Sequence, residues 1–188
     1  MKIIKLDKKA ISEATDFLNK GGVVIFPTDT IYGFLALAEN KKSVKNIFKI
    51  KKRPRSKPFA IFIKDFKMAK ELAEISEKQL KILKNKWPGK YTFVLTSLRG
   101  AKATKQSKTI ALRIPKYKPL NDLLKKINKP LVQTSVNISG QDALMKIEDI
   151  KNRFAKQKIL LIDGGNLKRS KPSKVIDLTA EKIKVLRK

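Results

Sequence analysis

In 188 residues the chain has no cysteine and no histidine. Without cysteine there is no disulfide, no zinc–thiolate site and no thiol nucleophile. Without histidine the commonest general base and the commonest transition-metal ligand are both missing. Acidic residues are scarce as well: 16 Asp plus Glu face 45 Lys plus Arg, for a net charge of +29. No clustered carboxylates point to a metal cage held by the protein. No apolar run approaches the length of a membrane span. The start, MKIIKLDKKAISEA, lacks the apolar stretch and cleavage site of a signal peptide, so a soluble, cytoplasmic protein is expected. Neither a GxxxxGK(S/T) phosphate loop nor a GxGxxG fingerprint occurs, so a bound nucleotide needs some other cradle. Chemistry must rest on Lys, Arg, Ser, Thr, Asn, Tyr, carboxylates, backbone groups or a bound ion.

What is present suffices for a real core. Hydrophobic residues make up 41% of the chain, and its length fits one domain spanning residues 1–188. Apolar runs of strand length alternate with amphipathic stretches of helical period. Strands are expected at 2–6, 23–26, 59–63, 91–95, 110–114, 131–136, 159–162, 175–178 and 183–186, the last three closing the sheet. Helices are expected after Asp7, after Ser43 as a cap, at 65–73, 76–86, 120–127 and 147–154. This is an α/β pattern, with a mixed sheet and helices packed on it. The loop from Ser97 to Lys108 reads as a mobile segment. The lysines are spread along the whole chain, so the charge shows compatibility with polyanions rather than a dedicated nucleic-acid surface.

Three segments concentrate polar groups. PTDTIYGF (27–34) follows an apolar strand directly, and Pro27 ends its ladder. Thr28, Asp29 and Thr30 then fall at the carboxyl end of a strand, where open α/β sheets bind ligands, and Gly33 allows a turn or a close approach. KIKKRPRSKP (49–58) packs six cations into ten residues. Pro54 and Pro58 impose an extended course on it, and an ordered basic loop suits phosphate, with Arg giving forked hydrogen bonds and Lys a point charge. LVQTSVNISG (131–140) runs from an apolar strand into Ser135 and Asn137, which two residues apart share one face. Each segment also has an ordinary explanation, as a strand-end turn, a solvated basic turn and a polar strand edge. Arg113, on an apolar strand, needs a partner for its charge, which a substrate carboxylate would supply.

In order and spacing, GGVVIFPTDTIYG, KIKKRPRSKPFAIFI, WPGKYTFVL, ALRIPKY, PLVQTSVNISG, IDGG and PSKVIDL together resemble the YrdC family, the threonylcarbamoyl-AMP synthases. The resemblance implies a twisted mixed β-sheet with flanking helices and a basic concave cleft that binds ATP. Carried over position by position, it assigns nucleotide phosphates and catalysis to Lys51 and Arg53. It adds Lys57, Ser135, Asn137 and Arg187 to the ATP site, and Thr28, Arg113, Ser135 and Ser173 to the threonine site. Departures from the family pattern lie at Ala143-Leu144-Met145, at Ser173-Lys174-Val175 and in the histidine-free FAIFI strand. The sequence ends soon after Arg187, which resembles the short form without a further carboxyl-terminal domain.

The implied reaction joins ATP, L-threonine and bicarbonate into threonylcarbamoyl-AMP and pyrophosphate. Magnesium arrives on the ATP phosphates, with no metal held by the protein. The product would pass to a downstream transferase complex for the threonylcarbamoyladenosine (t6A) modification of tRNA. The rival reading is a YciO-like protein that binds nucleotide or double-stranded RNA without synthase activity. Carbamoyl transfer, as in the related domain of hydrogenase maturation proteins, is a third.

Overall fold

The computed structural model describes residues 1–98, 108–168 and 170–188. Most of the Ser97–Lys108 loop therefore lies outside the described residues; its ends are tied by the Ser97 N–H donating to the Lys108 carbonyl at 3.0 Å. In chain order the elements are β1 Lys2–Lys5, α1 Lys8–Asn19, β2 Val23–Phe26, β3 Gly33–Leu37, α2 Lys41–Lys51, β4 Ala60–Phe62, α3 Phe66–Leu72, α4 Glu77–Lys86, β5 Tyr91–Thr96, β6 Thr109–Arg113, α5 Lys118–Ile127, β7 Leu131–Ser135, α6 Ile147–Phe154, β8 Ile159–Asp163, β9 Lys174–Asp177 and β10 Lys184–Arg187. All ten strands form one mixed sheet in the order β1-β8-β2-β3-β7-β4-β6-β5-β9-β10.

Local chemistry accounts for most boundaries. Asp7 caps α1 by accepting from the Ala10 N–H at 2.7 Å, which satisfies one of the orphan donors at a helix start. α1 ends at Gly21, whose φ of +79° is cheap only for a residue without Cβ. Ser76 opens α4 with a capping box closed by Gln79, two donors satisfied reciprocally. The second helix starts earlier than expected. Asn40 is its cap, and Ser43 sits inside the first turn with its hydroxyl donating to the Gly21 carbonyl at 2.6 Å.

Two strand placements differ from expectation. Gly33 does not turn the chain; it opens β3, a fully buried strand between β2 and β7. β8 does not close the sheet beside β9 and β10. It returns to the far side and pairs in parallel with both β1 and β2.

The core follows the two-residue strand period. Val24 and Phe26 of β2 join Leu35, Leu160 and the inner faces of α1 and α5. Val23 and Ile25 point the other way, against α2 and α6. A third cluster packs α3, α4 and Trp87 against Phe93, Leu95, Ile110 and Leu112. Their alternates on β5 and β6, Thr92, Val94, Thr109, Ala111 and Arg113, line a large cleft instead. The sheet is thus covered on both faces around β2 and β3, while β5, β6, β7 and β9 present polar side chains to the cleft.

Candidate active site

The cleft measures about 1840 Å³, beyond the roughly 300–1,000 Å³ usual for one small ligand. It leaves room for a nucleotide and a second substrate together. Among the described residues four arginines line it, Arg53, Arg55, Arg113 and Arg187, with Ser135, Asn137 and Ser173. The topology brings these groups together from five separate segments of the chain.

One wall is organised by Lys51. The side chain is 1% exposed and runs beneath the cleft. Its ammonium donates to Ser135 O at 2.6 Å, to Asn137 O at 3.0 Å and to Asn137 Oδ1. An ammonium has three hydrogens, so all three are used inside the protein. Lys51 does not line the cleft, whereas Ser135 and Asn137 do. Ser135 Oγ also donates to Asn137 Oδ1 at 2.8 Å. The backbone reinforces this wall, with Ser139 N–H donating to Lys51 O at 2.8 Å and Gly140 at φ +91° turning the chain back.

Arg53 stays at the surface of the same wall. Its Nε donates to Lys57 O at 2.8 Å and its Nη2 to Pro58 O at 3.1 Å, while its guanidinium lies 5.2 Å from the Phe59 ring centroid. It thereby clips the proline-bounded loop into one shape. Lys57 contributes a carbonyl to this clip; its exposed side chain is not part of the lining. Arg55, one of the six cations of the 49–58 segment, is, although the family resemblance assigned it no role.

The opposite wall is built on Arg113. It is 1% exposed, with Nε donating to Gly89 O at 2.9 Å and Nη2 to Asp29 Oδ1 at 2.6 Å. The carboxylate that answers its charge belongs to the protein, where the sequence pointed only to a substrate. Asp29 is itself buried and accepts the Lys116 N–H through Oδ2 at 3.1 Å. Nearby, Arg187 donates through Nε to Ser173 O at 2.8 Å and through Nη2 to Ser173 Oγ at 3.2 Å. Ser173 Oγ in turn lies 2.9 Å from Thr92 Oγ1.

Thr28 lies behind this wall. Its hydroxyl donates to Ile31 O at 2.7 Å, lies 3.0 Å from Thr30 Oγ1 and accepts the Thr30 and Ile31 N–H groups. It shapes the turn, and Thr30 is the threonine of the motif that lines the cleft. Tyr32 ties this turn to the IDGG segment, donating to Gly165 O at 2.7 Å and accepting the Gly164 N–H at 3.0 Å. Burial pushes its phenol up to about 12.

A family model described as "Telomere recombination", covering the Sua5, YciO and YrdC proteins, matches residues 16–188. The chain belongs to the Sua5/YciO/YrdC family. Among solved relatives of that family, Pyrococcus abyssi Sua5 complexed with L-threonine is 32% identical. It superposes with a TM-score of 0.92 over 100% of this chain, which spans 57% of the length of the Sua5 chain. Escherichia coli YciO is 30% identical, with a TM-score of 0.88 over 100% of this chain and 94% of YciO. A curated family member named threonylcarbamoyl-AMP synthase, from Vibrio vulnificus, is 28% identical over 92% of this chain and 96% of its own length. The family's α/β fold, with a mixed sheet and six flanking helices among the described residues, is the one found here.

Electrostatics at the Lys51 wall make a prediction that depends on the fold alone. Burial, with the nearby Arg53 charge adding to it, lowers the Lys51 ammonium from the ordinary 10.5 to about 8. Between about pH 8 and 10.5 the unfolded chain holds this proton and the folded chain does not. Stability contributed at this site therefore rises with pH across that window, by at most about 1.4 kcal/mol per pH unit. Thermal melts of the wild type, referenced to Lys51→Met, are expected to rise from pH 8 to pH 10. A flat difference would show that the buried amine does not titrate there.

Among the described residues no helix is long and apolar enough to cross a membrane, and no group of His, Cys, Asp or Glu has the arrangement of a metal site.

Proposed function

We propose that this protein forms threonylcarbamoyl-AMP from ATP, L-threonine and bicarbonate. The observation that carries the proposal is the pairing of two unlike walls across one cleft. One wall is a clipped Arg53 loop beside Ser135 and Asn137. The other holds a buried arginine whose Nη1 has no hydrogen bond among the described residues. The first suits phosphate oxygens and the second suits a carboxylate. The Vibrio vulnificus synthase and the threonine-bound Sua5 are relatives consistent with both halves.

In this mechanism the threonine amine adds to carbon dioxide formed from bicarbonate, losing a proton and giving an N-carboxylate. An oxygen of that carboxylate attacks the α-phosphorus of ATP, and pyrophosphate leaves with the P–O bond electrons. Negative charge grows on phosphate oxygens, so fixed cations lower the barrier. Arg53 and Arg55 supply them at the cleft surface, joined by Arg187 from the far side. Lys51 acts through Ser135 and Asn137, which it holds in place. Thr30, Ser173 and Thr92 surround the amino acid, and Thr28 sets the turn that carries Thr30. Magnesium comes with the ATP as part of the substrate. No histidine base is required, because the amine is acylated by carbon dioxide directly, and the chemistry is largely positioning. The product is an acyl-adenylate, consumed by a transferase that modifies tRNA.

A second reading, YciO-like binding of double-stranded RNA or nucleotide, is favoured by the +29 charge and by the full-length match to YciO. Pyrophosphate release separates the two. Under the synthase reading it requires ATP, threonine and bicarbonate together, and omission of any one returns it to background. Release independent of threonine, or none at all with RNA still bound, would favour the second reading.

A further inference from the structure

The ion pair between Asp29 and Arg113 is an expensive thing to keep at the edge of a ligand cleft. Arg113 is 1% exposed and its Asp29 partner is buried beside it at 2.6 Å. A buried pair of this kind is often matched or bettered in stability by apolar residues of the same volume. Its geometry is more specific than charge neutralisation requires. A guanidinium carries five N–H donors in a rigid plane. Here Nε is fixed by Gly89 O and Nη2 by Asp29 Oδ1, from two different loops. Those two bonds set the plane and rotation of the group. Nη1 is left without a hydrogen bond among the described residues, on a side chain that lines the cleft.

Asp29 is also held rigid. Its second oxygen accepts the Lys116 N–H at 3.1 Å, so the carboxylate bridges the turn after β2 and the segment after β6. Arg113 also lies over the Phe62 ring, whose centroid is 5.6 Å from its guanidinium carbon. A second guanidinium, Arg187, is near enough to act on Arg113 electrostatically. Two like charges on one wall repel, and Asp29 offsets one of them while leaving Arg113 Nη1 without a hydrogen bond among the described residues.

We propose that Asp29 is a positioning residue that aims Arg113 at the carboxylate of the amino-acid substrate, which rests on the synthase reading above. It does not touch the substrate. Losing it would free the Arg113 guanidinium to rotate, weakening one carboxylate contact, while Arg187 stays held by Ser173 and the Arg53, Ser135 and Asn137 wall is unaltered.

The test is Asp29→Asn in the full chain, with Asp29→Glu as a second variant that keeps the charge but displaces the oxygens. The ligands are L-threonine and threoninol, which lacks the carboxylate, titrated calorimetrically in the presence of a non-hydrolysable ATP analogue. A charge-assisted hydrogen bond that is no longer aligned is expected to weaken threonine binding by about 10- to 100-fold. Threoninol affinity and ATP-analogue affinity are expected to stay within about twofold, since neither ligand uses the Arg113 edge. The ratio of threonine to threoninol affinity is read on folded protein only, so a lower yield of the variant does not alter it. Asp29→Glu is expected to fall between wild type and Asp29→Asn. Unchanged threonine preference in both variants, with wild type binding threonine, would overturn the positioning role alone. No threonine binding by the wild type would overturn the synthase reading and this inference with it.

Discussion

Arg113→Ala is expected to lower the melting temperature by roughly 10 °C and to abolish measurable threonine binding. The thermal effect comes from Asp29. Once the guanidinium is gone, a carboxylate only 7% exposed faces the Lys116 N–H and no cation. Leaving one charge of a buried pair uncompensated costs about 3–5 kcal/mol, and for a chain of this length each kcal/mol shifts the midpoint by roughly 2–4 °C. The binding effect comes from the freed edge of the guanidinium, the group here that would receive the substrate carboxylate. Arg113→Lys separates the two effects. A lysine still offers a charge to Asp29, so much of the stability returns. It has no planar fork to reach Gly89 O, Asp29 and a ligand together, so threonine binding does not return. Calorimetric melts and threonine titrations on the two variants check both halves. A melting point unchanged in Arg113→Ala would mean that the Asp29 pair is not the buried contact described.

Lys51→Met is expected to cut synthase turnover by about 100-fold while secondary structure is retained, since a misplacement of about 1 Å at a reacting group can cost that much. Methionine fills a similar volume but donates no hydrogen bond. Ser135 O, Asn137 O and Asn137 Oδ1 then lose the donor they share, and the turn from Ser135 to Gly140 is held to the end of α2 by the Ser139 N–H to Lys51 O bond without the side-chain bonds. The loss is expected to appear in nucleotide binding and in kcat, with the threonine wall intact. Stability moves little, because removing a buried ammonium relieves its desolvation while stranding the carbonyls it served. Circular dichroism, ATP-analogue titration and turnover measure these separately. A variant with wild-type turnover would show that Lys51 neither holds the wall nor serves the reaction. Lys51 was expected to face phosphate itself; its burial instead makes it the residue that holds Ser135 and Asn137, which line the cleft.

Where the sequence was informative, the information was local. The strand and helix periods, the Asp7 cap and the helix start at Ser76 are set by neighbours within a few residues. The sequence does not signal β3, because Gly33, Ala36 and the preceding TDT turn weaken a strand pattern that burial on both faces restores. Ser43 reads as a cap in the sequence, but Asn40 caps equally well and lies where the chain enters the helix. The position of β8 depends on register with β1 and β2, more than 130 residues upstream, and no composition signal carries that.

The site divides the same way. The polar groups of PTDT, the RPRS loop and the Ser-x-Asn pair stood out as segments. Their relations did not, because Arg113 and Asp29 are 84 residues apart, and Lys51 and Ser135 likewise. Whether a buried cation finds a protein carboxylate or a ligand is decided by such long-range pairings. Asp29 and Thr30 were visible in the motif, and only the folded chain shows that Asp29 answers Arg113 while Thr30, rather than Thr28, lines the cleft.

The central claim, that these two walls join a carboxylated threonine to AMP, is most directly tested by supplying ¹³C-bicarbonate with ATP, magnesium and L-threonine and taking the mass of the adenylate formed. The expected product is threonylcarbamoyl-AMP with the label in its carbamoyl carbon and one pyrophosphate released per adenylate. An adenylate without the label, or no adenylate from protein that binds both ATP and threonine, would contradict it.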